Sequence, residues 1–331
     1  MQFIDLNAQQ QRIRDKIETN IKNVLDHGKY IMGPEIKELE ARLSQYVGTK
    51  YAVGVASGTD ALLIPLMAYR IGPGDAVFTS PFTFIATAEV IQLLGATPVF
   101  VDIQPDTFNI DPEKLEDAIQ QIKTEGKLKP RGIIPVDLFG QTADYDEINA
   151  LAGKHDLFVL QDAAQSFGAV YKGKKACSNA DVAATSFFPA KPLGCYGDGG
   201  MIFTDSVELH ETLTSIRIHG KGSDKYNNIR IGVNGRLDTI QAAVLLAKMD
   251  IFDEEIQLRQ TVTARYAEGL KAPAKAPVVR DYNVSAWAQY GILHPERDAV
   301  IARLKENGIP TAIYYPTWAS VRSCSASSPR G

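Results

Sequence analysis

Cysteine is scarce in this sequence. Its 331 residues hold three, Cys177, Cys195 and Cys324, too few and too scattered for a disulfide framework or a paired zinc site. Long uncharged runs are missing too. The longest stretch without Asp, Glu, Lys or Arg is the 15 residues Asn307–Val321, short of the ~20 apolar residues that span a bilayer. Charge of one sign does not dominate: 35 Lys and Arg against 39 Asp and Glu leave a net charge of -4. That balance argues against nucleic acid or membrane lipid as a main partner. The opening Met1-Gln2-Phe3-Ile4-Asp5 lacks a charged-then-apolar export signal, and no repeat or low-complexity tract is present. What remains is ordinary, 45% hydrophobic and 22% charged, which excludes a disordered tail or a fibrous repeat. The expectation is a cytoplasmic, metal-free enzyme of about two domains.

The first fifty residues read as helices. Ile13, Ile17, Ile21, Val24 and Leu25 recur at helical spacing up to Gly28, and Pro34 opens a second helix with Ile36, Leu39, Leu43 and Val47 on one face. Short apolar runs then alternate with amphipathic stretches. Strands are predicted at Tyr51–Val55, Ala76–Thr79, Thr97–Ile103, Gly132–Leu138 and Leu157–Leu160. Helices are predicted at Asp60–Ala68, Thr83–Leu94, Pro112–Ile122 and Tyr145–Lys154. This alternation implies right-handed crossovers and a mainly parallel sheet covered on both faces. Val182–Phe188 and Gly200–Thr204 follow each other too closely for a helix, so one of them should run antiparallel. A long helical region is expected from Leu237 to Leu270. Beyond the hinge Ala272–Pro277, a strand (Trp287–Leu293), a helix (Asp298–Glu306) and a strand (Thr311–Tyr315) begin a smaller α/β domain.

Ligands bind outside the carboxyl ends of strands in an open parallel sheet, and four such places carry polar residues. Ala56-Ser57-Gly58-Thr59-Asp60 joins a strand to a helix; it suits a phosphate or is a plain helix cap. Asp162, at the end of an apolar strand, can hold a cation or a protonated ring nitrogen, or cap the next helix. Lys191 lies between prolines and aromatics, where desolvation would make it an amine nucleophile; a surface lysine is the alternative. Ser215–Arg236 carries Arg217, His219, Lys221, Lys225, Arg230 and Arg236 against Asp224 alone, fitting an anionic substrate or a solvated basic loop. His27, His155, His210 and His294 have no ligand-like spacing. Taken together, a phosphate cradle, a strand-end acid and an activated lysine are what pyridoxal phosphate requires.

The motifs Tyr30-Ile31-Met32-Gly33-Pro34-Glu35, Ala56–Leu62, Gln161–Gly168, Ser186–Gly194, Gly197–Gly200 and Gly232–Asp238 resemble the DegT/DnrJ/EryC1/StrS family of pyridoxal-phosphate sugar aminotransferases. The resemblance runs from Phe3 to about Pro316. It implies an α/β fold like aspartate aminotransferase, a large domain with a mixed, mostly parallel seven-stranded sheet. Residues 1–270 would form that domain with its helices, and 271–331 a small C-terminal domain. Carried over, Lys191 is the Schiff-base lysine and Asp162 the pyridinium partner. Gln165 contacts the ring hydroxyl, Phe84 stacks on the ring, and Gly58, Thr59, Asp60 and Ser186 hold the phosphate of pyridoxal 5'-phosphate. Asn234 reaches the partner's cofactor across a homodimer interface. Substrate contacts fall on Tyr30, Met32, His219, Tyr226, Asn234, Arg236 and Tyr314.

Within the family the sequence is most similar to the subgroup that aminates UDP-2-acetamido-2-deoxy-3-oxo-glucuronate from L-glutamate for O-antigen sugars. A UDP- or dTDP-linked 4-keto sugar is the alternative substrate. The family's dehydratase branch has histidine in place of Lys191, which argues against it. After Pro316 the sequence resembles nothing in the family, and Tyr314 replaces the subgroup's histidine. These departures predict an incomplete small domain and leave open a cofactor-binding chain without activity.

Overall fold

The computed structural model describes residues 4–224 and 226–316; Lys225 and the segment from Thr317 onward, with Cys324, lie outside the described residues. Helix α1 (Leu6–His27) begins where Asp5 accepts the Ala8 N–H at 3.0 Å and ends at Gly28, whose φ of 68° suits a residue without Cβ. It buries Ile13, Ile17 and Val24, but Leu25 faces solvent. Helix α2 (Pro34–Val47) buries all four expected apolar positions.

The alternating region follows as β1 (Tyr51–Val55), α3 (Gly58–Ala68), β2 (Asp75–Thr79), α4 (Ala86–Leu93), β3 (Thr97–Phe100), α5 (Pro112–Glu125), β4 (Lys129–Ile134), α6 (Tyr145–His155) and β5 (Phe158–Asp162). Short strands β6 (Val170–Tyr171) and β7 (Lys174–Lys175) precede β8 (Val182–Ser186) and β9 (Gly200–Thr204). Seven strands form one sheet in the order β1-β9-β8-β5-β4-β2-β3. Only β9 runs against its neighbours β8 and β1, as the short connection before it requires.

Both sheet faces are apolar because both are covered. Ala52, Ala183, Met201 and Phe203 pack on α2 and the later helices. Their sequence neighbours Val53, Val182, Ala184 and Ile202 face α3, α4 and helix α7 (Val207–Ile216). Full burial of such side chains contributes about 1.5–3 kcal/mol each, which holds the strand register: a one-residue slip would exchange the two faces.

The expected helix over Leu237–Leu270 is two helices, α8 (Thr239–Lys248) and α9 (Phe252–Gly269). The break carries Asp250, which Arg42 of α2 bonds at 2.8 Å and Lys16 of α1 also binds; the turn serves that ion cluster. The expected strand Gly132–Leu138 ends at Ile134, and Leu138–Gly140 forms a tight turn instead. The helix expected from Thr83 begins at Ala86.

After α9, strand β10 (Asn283–Val284) joins β6 and β7 in a small sheet, and helix α10 (Arg297–Glu306) forms as expected. Neither Trp287–Leu293 nor Thr311–Tyr315 is a strand. Trp287 has a φ of 50°, incompatible with an extended run, and Leu293 makes a single bridge to Lys275. Among the described residues no helix is long and apolar enough to cross a membrane, and no cluster could hold a metal ion. Cys177 and Cys195 are buried free thiols.

Candidate active site

Strands β5 and β8 are parallel, and β1 and β8 both run against β9. The ends of β1, β5 and β8 therefore share one edge of the sheet, where ligands of such folds bind.

At that edge Ser57 caps α3, its hydroxyl accepting the Asp60 N–H at 3.0 Å. The Gly58 and Thr59 amides, in the first helical turn, have no acceptor inside the helix, and the helix dipole favours an anion there. A Cβ on Gly58 would lie 2.6 Å from the Ser186 Cβ, so only glycine lets the helix end approach β8 this closely. The result is a cradle of two amides and the Thr59 and Ser186 hydroxyls. Asp60 brings no free amide, because Ser57 takes it, and burial raises its carboxyl pKa.

Asp162, 4% exposed, ends β5. Its carboxylate accepts the Thr87 hydroxyl at 2.8 Å and the Ala164 N–H at 3.2 Å. Burial raises its pKa, opposed by those two hydrogen bonds and by the charge of Lys191. Lys191 follows β8 in the Phe188–Leu193 turns, held by its own N–H to the Phe188 carbonyl at 2.8 Å. Burial lowers the pKa of its amine against the attraction of Asp162. The two groups are thus poised against each other, the arrangement expected of a reactive amine and its counter-charge.

Gln165 sits in the turn after β5, its Oε1 accepting the Phe139 N–H at 2.7 Å and its Nε2 donating to the Tyr315 hydroxyl at 3.2 Å. Phe139 in turn packs edge-on against Phe82 and Tyr314, so Tyr314 is brought to this cluster. Phe84 is 55% exposed, an open aromatic face without a stacking partner among the described residues. Asn234 and Arg236 lie beside β1. Arg236 bridges Val55, the Ala56 N–H bonds Gly235, and the Arg236 guanidinium donates to the Asn234 side chain at 2.6 Å. Tyr30 and Met32 precede α2, fastened where the Thr239 N–H bonds the Tyr30 carbonyl. His219, whose N–H bonds the Val233 carbonyl next to Asn234, and Tyr226 lie on an arm spanning 219–232 that exposes Tyr226, Ile229 and Ile231.

One expectation is corrected. Arg217, read with the basic substrate loop, is 3% exposed. Its guanidinium bonds Glu40 at 2.6 Å and the Gly54 carbonyl at 2.9 Å, so it serves the fold and cannot meet an anionic substrate.

Sequence reasoning missed Thr87, which holds Asp162, and Thr83 behind it, 3.1 Å away. Two threonines one helical turn apart in an apolar segment were the available signal. It also missed Asp137, fully buried below Asp162, whose pKa burial pushes up to about 6 against four hydrogen bonds.

The residues at this edge fit pyridoxal phosphate. An anion cradle that a Cβ would fill, a buried acid with capacity left for a ring nitrogen, and a desolvated amine without a hydrogen-bond partner among the described residues are what a pyridoxal-phosphate-dependent enzyme needs. Residues 11–325 match the DegT/DnrJ/EryC1/StrS aminotransferase family, and the chain belongs to that family. The match passes Thr317, beyond the point where the sequence resemblance was expected to stop. The UDP-2-acetamido-2-deoxy-3-oxo-D-glucuronate aminotransferase of Pseudomonas aeruginosa is 53% identical over 317 residues, 96% of this chain and 86% of the relative. The dTDP-3-amino-3,6-dideoxy-alpha-D-galactopyranose transaminase of Aneurinibacillus thermoaerophilus is 40% identical, over 95% of this chain and 85% of the relative. Among solved structures, a DegT/DnrJ/EryC1/StrS aminotransferase from Brucella abortus superposes with a TM-score of 0.96 at 50% identity, covering 98% of this chain and 87% of the other. The PLP form of a sugar aminotransferase from Streptococcus pneumoniae gives 0.83 at 28% identity, covering 91% and 82%.

Proposed function

We propose that the protein moves the amino group of L-glutamate to UDP-2-acetamido-2-deoxy-3-oxo-glucuronate, giving the 3-amino sugar, as a cytoplasmic homodimer serving O-antigen or other surface-polysaccharide synthesis. The observation that carries this reading is 53% identity across 96% of the chain to a relative of that activity. The site is in keeping with it. Pyridoxal phosphate, when bound, supplies an electron sink conjugated to the reacting carbon. Lys191 would anchor it covalently, and its Nζ, once free, would take and return the proton at the reacting carbon; burial lowers the pKa of that amine, which favours the role. Asp162, held by Thr87 and the Ala164 N–H, would keep the ring nitrogen protonated. Gln165 would bond the ring hydroxyl, Phe84 would stack on the ring, and Gly58, Thr59 and Ser186 would hold the phosphate. Asn234 and Arg236 reach the sugar nucleotide of a second subunit, and the exposed apolar tips of the 219–232 arm favour such pairing.

Amino transfer from glutamate to a panel of 3-keto and 4-keto UDP- and dTDP-sugars tests the proposal. Turnover on the 3-keto UDP-uronate is expected. Turnover on 4-keto sugars alone would overturn the substrate, and cofactor binding without any turnover would make the chain an inactive homologue.

A further inference from the structure

We propose that Asp137 is a positioning residue for pyridoxal-phosphate binding, its buried carboxylate gathering four donors and thereby fixing the Asp162–Ser166 stretch against the cofactor ring. The inference rests on the assignment of Asp162 and Gln165 to that ring. Asp137 is 0% exposed. Its Oδ1 accepts the Ala143 N–H at 3.0 Å and the Tyr145 hydroxyl at 2.8 Å. Its Oδ2 accepts Gln161 Nε2 at 2.7 Å and the Ser166 hydroxyl at 2.6 Å. All four donors are neutral, so the carboxylate organises its surroundings by direction rather than as half of an ion pair.

Two of those donors bracket the functional stretch: Gln161 precedes Asp162, and Ser166 follows Gln165. The backbone is coupled as well. The Asp137 N–H bonds the Asp162 carbonyl at 3.1 Å, and the Asp162 N–H bonds the Pro135 carbonyl at 2.9 Å. Two residues after Asp137, Phe139 adopts a φ of 59° and gives its N–H to Gln165. A left-handed conformation at a bulky residue persists only where the surroundings over-determine it. Here Asp137 holds the turn from inside. Outside, the Ala286 N–H bonds the Gly140 carbonyl, and a Cβ on Gly140 would lie 2.5 Å from the Trp287 amide.

The network also has a fixed polarity. Gln161 donates to Asp137 through Nε2 while its Oε1 accepts the Cys177 N–H at 3.1 Å, so its amide cannot turn over to meet a new donor. Asp137→Asn sets one amide donor against another. Gln161→Glu alone sets two carboxylates together. Made together, the substitutions place a donor opposite an acceptor and keep the bond from Cys177, while the Ser166 hydroxyl can accept as readily as donate.

The test is titration of the apoprotein with pyridoxal phosphate, reading affinity by equilibrium dialysis and the pH midpoint of the bound cofactor's visible band, with the apoprotein melting temperature alongside. Asp137→Asn is expected to weaken binding about tenfold and to shift the midpoint, and the paired exchange to restore both. Wild-type affinity and midpoint in Asp137→Asn would overturn the inference. So would a paired exchange that restores the melting temperature but not the affinity. Ser166→Ala keeps the question open to measurement if Asp137→Asn does not fold: a loss of about threefold is expected, and no loss overturns the proposal. Asp162→Ala, run in parallel, separates the two levels. Unchanged affinity there would remove Asp162 from the ring and defeat the functional reading, whereas a loss there with none in Asp137→Asn defeats only the positioning role.

Discussion

Lys191 at the strand-end crevice and Lys248 in the helical layer are both taken out of water, and burial lowers the pKa of both amines. Their surroundings differ. Lys191 faces the charge of Asp162 beside an anion cradle. Lys248 ends α8 with its Nζ 4.6 Å from the centre of the Tyr196 ring, its pKa lowered to about 8. Under the proposed function only Lys191 is catalytic, because a positioned acid and a phosphate site on the same sheet edge would place the reacting group where its amine is.

The sharpest test of that contrast is substitution of each lysine. Lys191→Ala should lower transamination by about a thousandfold or more and remove the band of covalently held cofactor, while Lys248→Met should leave turnover near wild type. Equal losses in the two variants would break the comparison. Next in size, Asp162→Asn should cost on the order of a hundredfold in turnover, measured with cofactor at saturation; full activity would exclude the acid from the chemistry.

Stability separates the regions further. Glu40→Ala should cost about 3 kcal/mol in urea unfolding, because it leaves the Arg217 guanidinium buried without its counter-charge. Lys248→Met should raise stability at pH 7, by up to about 3 kcal/mol. The sign follows from a folded pKa of about 8 against 10.5 in the unfolded chain. The folded state disfavours the ammonium, so wild-type stability is lowest below about pH 8 and rises as the amine deprotonates towards 10.5. Chemical denaturation across that window should show the rise in the wild type and its absence in Lys248→Met. The smallest effect is expected on the arm, where Ile231→Ser should change unfolding by less than about 0.5 kcal/mol yet weaken self-association in sedimentation velocity.

Much of this was legible in the residues. Short apolar runs set between amphipathic, helix-spaced stretches located all strands of the large sheet, and the short link between β8 and β9 announced the antiparallel member. Lys191 stood out because a lysine among prolines and aromatics is a poor choice for solvent, and Asp162 because an acid ending an apolar strand can hold a cation or a protonated ring nitrogen. Thr87 and Asp137 did not stand out, since their importance lies in what they touch across the sheet. Arg217 misled for the same reason: its charge was visible and its partner Glu40, far away in sequence, was not. The break at Asp250 and the left-handed Trp287 were hidden likewise, one answering to α1 and α2 and the other interrupting a run that alternation alone would extend.

The sequence by itself determined the sheet's apolar core, the types of reactive group and their order along the chain, because burial preference and helix-end chemistry are local properties. Only the tertiary structure decided which polar groups meet. Hydrogen bonds such as Thr87 to Asp162, Asp137 to Ser166 and Phe139 to Gln165 act over about 3 Å between segments distant in sequence, and no periodicity records them.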